Sequence, residues 1–74
     1  ARLAVNIPAE WLRQIPEAKR EALEGVLACD PRPSYQDDPE RVYGMAFAGF
    51  DVRFTVADGV LTVREILPLQ EDKK

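Results

Sequence analysis

The sequence predicts an α+β fold: a short N-terminal strand, a helical hairpin or kinked helix, then a three-stranded antiparallel meander. Three observations carry this reading. Apolar residues alternate at Leu3, Val5 and Ile7, then recur at helical spacing through Leu23, Val26 and Leu27. From Val42 the period returns to two, interrupted at Ala48-Gly49 and Asp58-Gly59.

Each element has a local cause. Residues 2–7 read as the first strand. Pro8 suits the first turn of a helix, where its missing N–H is not needed, and Glu10 puts negative charge at the positive end of the helix dipole. Trp11, Leu12 and Ile15 give that helix an apolar stripe, and Pro16 ends it by disfavouring helical geometry at Ile15. Pro16 also opens a second helix to about Cys29, with Glu17 in its first turn and Ala22, Leu23, Val26 and Leu27 on one face. Arg20 and Glu24 are spaced for an ion pair, and Gly25 is expected to allow close packing on the sheet. Asp30-Pro31 stops the helix, and the proline-rich, acidic stretch to Arg41 reads as an exposed linker within one domain.

The hairpins set the meander's register. Asp58-Gly59 marks a type I′ turn, in which both central residues need positive φ. Counting from it pairs Val56 with Leu61, Phe54 with Val63, Val52 with Glu65 and Phe50 with Leu67. A turn at Ala48-Gly49 pairs Phe47 with Phe50, Met45 with Val52 and Tyr43 with Phe54. The apolar set then shares one face, with Arg53, Thr55, Thr62 and Arg64 on the other. The polar tail at 70–74 reads as frayed, so residues 1–74 are expected to form a single domain.

Composition narrows the function. With 74 residues the core is small, which makes a binding partner or a homo-oligomer an open possibility. A lone cysteine, Cys29, excludes an internal disulfide and points to a reducing, cytoplasmic setting; it reads as a buried, inert thiol. The chain has no histidine, which sets aside zinc and Ser-His chemistry, and neither a metal site nor a cofactor is expected. No apolar run is long enough to span a bilayer, and nothing at the N-terminus reads as an export signal. A net charge of −3 argues against extensive duplex binding.

The sharpest local feature is the placement of Arg53 directly opposite Arg64, an unfavourable like-charge pair that a phosphate or carboxylate would relieve. The competing reading pairs Arg53 with Asp51, and Arg64 with a neighbouring acid, at the surface. Thr55, Thr62 and Tyr35 complete the anion or nucleic-acid-binding candidates, although a loop aromatic such as Tyr35 more often pins its loop to the core. Glu65, expected to face the core opposite Val52, is a candidate base. Trp11 reads as a core anchor or a partner contact.

The order strand, helical hairpin, meander, with "ALEGVLACDPRP", "VYGMAFAGFDVRFTV" and "DGVLTVREI", resembles the RelE/ParE superfamily of toxin–antitoxin proteins. The resemblance implies a toxin-type protein that binds a macromolecular target, ribosome with mRNA or gyrase, and is neutralised by an antitoxin. It fills the family's catalytic positions poorly, because Gly44 and Asp51 stand where cations are usual, and so names no catalytic residue. Two alternatives accompany it: a ribosome-dependent mRNA endonuclease with relocated residues, and a non-toxic interaction domain that self-associates.

Overall fold

The computed structural model describes residues 2–32 and 38–69. The elements run β1 (Ala4–Asn6), α1 (Ala9–Leu12), α2 (Glu17–Ala28), β2 (Tyr43–Phe47), β3 (Phe50–Ala57) and β4 (Val60–Pro68). The α+β class and this order match the sequence reading, but the sheet is mixed and four-stranded, in the order β1-β4-β3-β2. β2, β3 and β4 form antiparallel hairpins, whereas β1 lies parallel to β4, pairing Ala4 with Val60 and Asn6 with Thr62. The expectation of a plain antiparallel meander is corrected accordingly. Further backbone bonds anchor β1: Leu3 N–H donates to the Ala28 carbonyl (2.8 Å) and Ala4 N–H to the Gly59 carbonyl (3.0 Å).

Pro16 separates the helices. α1 is a single turn, and the Arg20 guanidinium donates through Nε to the Ile15 carbonyl (2.9 Å), so Arg20 braces the interhelical corner and not Glu24. α2 sends Leu23 and Leu27 into the core with Ile15, Val52, Phe54, Leu61, Val63 and Ile66. Trp11 packs against that cluster as a half-buried wall. Other expectations on the helix fail: Val26 is exposed, Cys29 is exposed, and a Cβ on Gly25 would meet nothing within 4 Å. Gly25 therefore permits no close approach to the sheet.

Both turns have the geometry that the sequence predicts, with positive φ at Ala48, Gly49, Asp58 and Gly59. The β2–β3 register is as expected throughout. The β3–β4 register agrees from Ala57–Val60 to Phe54–Val63, then shifts by one residue. Arg64 is the extra residue of a β-bulge, so Arg53 pairs with Glu65, Val52 with Ile66 and Phe50 with Pro68. Without the bulge Ile66 would face outward. With it, Val63 and Ile66 are both buried.

Candidate functional site

The bulge defines the sheet face turned away from the helices. Arg64 and Glu65 both leave the core, which corrects the core-facing placement of Glu65. Arg53 bonds Asp51 through Nε (Nε–Oδ2 3.1 Å) and reaches Glu65 (Nη1–Oε2 3.7 Å). Arg64 donates through Nε to Thr55 Oγ1 (3.2 Å). The two guanidinium groups therefore do not oppose each other, and no bound anion is required to relieve them. They still share one face with Thr55 and Thr62, which are paired across β3 and β4.

Around Arg53 the surface is concave. A shallow depression of about 550 Å³ is lined by Val42, Gly44, Asp51, Arg53 and Leu69, and a second, of about 610 Å³, adds Leu67 and Pro68 beside the same Asp51, Arg53 and Leu69. Gly44 makes room for the carboxylate: a Cβ there would lie 3.3 Å from Asp51 Oδ1. The result is an open groove with aliphatic walls and the Asp51–Arg53 ion pair in its lining, Glu65 reaching Arg53 from outside it. Arg53 remains about half exposed, its side chain retaining 45% accessibility.

A second constellation is not announced by the sequence pattern. Just beyond α2, Asp30 adopts φ 63°, a left-handed conformation that Asp tolerates better than most residues. There its carboxylate takes a bidentate pair from Arg32, Nε to Oδ1 at 2.7 Å and Nη2 to Oδ2 at 2.6 Å. The Arg32 hydrogen bonds hold the Asp30 carboxyl below its ordinary pKa against a smaller opposing effect of burial. Asp30 in turn pushes the Arg32 guanidinium upward, and the Tyr43 hydroxyl adds to this in smaller measure. That hydroxyl acts by proximity and not through a formed hydrogen bond, since Tyr43 Oη is buried with no partner of bonding geometry. The Tyr43 ring stacks on Phe54 (5.6 Å, 23°), and the Arg41 guanidinium lies 5.6 Å from its centroid. Arg32, its side chain only 7% accessible, braces the turn that follows α2. An acid and an arginine two residues apart at a helix stop were the signal that could have revealed it.

Tyr35 lies outside the described residues, as does the tail at 70–74. Among the described residues no helix is long and apolar enough to cross a membrane.

Comparison with known proteins gives a consistent result. A family model described as the TrmO C-terminal domain matches residues 1–69. A tRNA (adenine(37)-N6)-methyltransferase of Eikenella corrodens is 36% identical over 71 residues, which cover 89% of this chain and 40% of that protein. A crystal structure of TrmO from P. aeruginosa shares the fold, with a TM-score of 0.69 and 24% identity over 92% of this chain and 34% of that one. The chain thus spans about 40% of the length of the curated relative it matches. These findings overturn the RelE/ParE resemblance and what it implied. Toxin activity, the endonuclease and interaction-domain alternatives, the antitoxin partner and the ribosome or gyrase target all lose their basis.

Proposed function

The chain belongs to the TrmO C-terminal domain family, and from that membership we propose that it is the RNA-holding portion of a tRNA adenine-N6-methyltransferase. The observation that carries the reading is the 36% identity, over nearly the whole chain, to a protein of that name. Methyl transfer to an adenine N6 needs a methyl donor held against the base, a task this reading leaves to the remainder of the longer relative.

Holding RNA needs donors aimed at phosphate oxygens on a surface that the polymer can reach. Arg53 and Arg64 supply guanidinium groups on the accessible sheet face, while Thr55, itself buried, positions Arg64 by accepting from its Nε. Arg64 commits only Nε to Thr55 among the described residues, which leaves its Nη groups directed to ligand. Arg53 exchanges its acidic partners for phosphate at some expense. A chain of net charge −3 then contacts RNA locally, by a few bonds, and not through a broad basic field.

The test is tRNA binding and methylation by the longer protein with Arg53→Ala, Arg64→Ala and both. Loss of contacts made equally to bound substrate and transition state raises KM and leaves kcat unchanged. Each phosphate contact removed flattens the dependence of log K on log salt by about 0.7–0.9. Unchanged tRNA affinity and salt slope in the double variant would sink the assignment of this face.

A further inference from the structure

The groove on the outer sheet face carries two features that phosphate contact does not use. The first is an open acceptor. Asp51 Oδ2 accepts from Arg53 Nε, but no described residue donates to Oδ1, and the Asp51 side chain keeps 26% accessibility. Gly44 sets no side chain against that oxygen. The second feature is apolar surface. Asp51 lies between Ala46 and Leu67 in one row of the sheet, and Val42 and Leu69, 55% and 44% exposed, stand at the rim. A phosphate offers a carboxylate no donor and repels its charge, and it has no flat face to lay on aliphatic side chains.

We infer that this groove takes an unpaired guanine base of the RNA, a step that rests on the RNA-holding role proposed above for this face. The Watson–Crick edge of the base donates to the Asp51 carboxylate while the ring lies on the aliphatic wall. An ionised carboxylate only accepts hydrogen bonds, through two oxygens with about four lone-pair sites. Among the RNA bases guanine alone presents two neighbouring donors, N1–H and the N2 amino group, matched to those two oxygens. Adenine and cytosine set one amino group beside a ring-nitrogen acceptor, and uracil sets one imino group between two carbonyls, so each turns a lone pair toward the second oxygen. Arg53 fits the same arrangement. When its guanidinium leaves Asp51 for phosphate, the carboxylate loses the donor on Oδ2, and a partly buried charge without partners is unfavourable. Guanine returns two donors in place of one. The base must be unpaired, because in a duplex its Watson–Crick edge is already occupied, and sequence-specific RNA recognition takes such unstacked bases on apolar or aromatic surfaces.

The test measures binding of the longer protein to short single-stranded RNAs, a uridine host carrying one central guanosine, inosine or adenosine. The guanosine RNA should bind more tightly than the adenosine RNA by about 5- to 150-fold, the range of a good bidentate base contact. Inosine lacks the N2 amino group but keeps N1–H, and should fall between them. Asp51→Asn should bring the three RNAs to equal affinity, whereas Arg64→Ala should weaken all of them alike and leave their ratios unchanged. Equal binding of guanosine and adenosine by the parent, or a guanosine preference that survives Asp51→Asn, overturns this inference; where Arg64→Ala still weakens binding, the RNA-holding role stands without it. Binding of none of the RNAs overturns both. Competition by guanosine monophosphate as effective as the guanosine RNA would assign the groove to a free nucleotide and likewise overturns the proposal.

Discussion

Tyr43→Phe isolates one oxygen atom. The ring is 6% exposed, stacked on Phe54 and faced by Arg41, and phenylalanine preserves all of that. What it removes is a buried hydroxyl with no hydrogen-bond partner. A buried polar group left unsatisfied costs about 1–3 kcal/mol, whereas a satisfied hydrogen bond contributes about 1 kcal/mol net. The two cases have opposite signs, which makes the substitution decisive. The hydroxyl also favours the charge on nearby Arg32, a contribution secondary to Asp30 that is lost with it. Setting that against the relieved desolvation, we expect Tyr43→Phe to stabilise the fold by about 1 kcal/mol. For a domain of this size that corresponds to a rise in Tm of about 4–8 °C. Urea unfolding should show a higher midpoint with an unchanged m value. A loss of about 1 kcal/mol would show that the oxygen is hydrogen-bonded in solution and that the brace extends from Asp30 through Arg32 to Tyr43.

Gly25→Ala places a methyl group in open space inside a helix, so it should stabilise by about 1 kcal/mol, read from thermal unfolding. A decrease would mean that the position needs a non-helical conformation. Asp30 has a folded pKa below its unfolded value of about 3.9. Its contribution is therefore fully present above that value and disappears as pH falls through the lower folded pKa. Asp30→Asn keeps a residue that tolerates positive φ but removes the charge, so stability followed by acid titration should lose part of its slope below about pH 4. An identical acid limb in parent and variant would remove Asp30 from the linkage.

Legibility in the sequence ended where a pattern was forced into the wrong period. β2 and β3 were readable to the residue because Ala48-Gly49 fixes their register from a turn two residues long. β4 was readable from Asp58-Gly59 as far as Val63. Strict alternation then turned Glu65 inward and Ile66 outward, and placed Arg64 opposite Arg53. Yet Val63 and Ile66 are three apart with two charged residues between them, a spacing that period two cannot bury. A single bulge at Arg64 resolves it, and the charged pair was the available signal. β1 was recognised as a strand, but alternation says nothing about which edge it joins. Its parallel place beside β4 follows from the helical crossover, since Leu3, Val5 and Ile7 find apolar cover there. The Asp30–Arg32 brace was hidden because its bidentate geometry depends on a left-handed Asp30 that composition does not announce.

The positions that seemed deficient against a toxin pattern belong together in this fold. Gly44 lies opposite Arg53 and diagonally across from Asp51, and the space left by its absent Cβ is where the Asp51 carboxylate lies. Asp51 holds Arg53, and the bulge brings Glu65 to its other side. A cation at either position would dismantle that chain, Gly44 by displacing the carboxylate and Asp51 by setting like charge beside Arg53. The two departures are therefore one coupled arrangement, and with Arg53 half exposed at its centre they form a positioned cation on an open face. Element order carries no such coupling; the surface is described by these side chains read together.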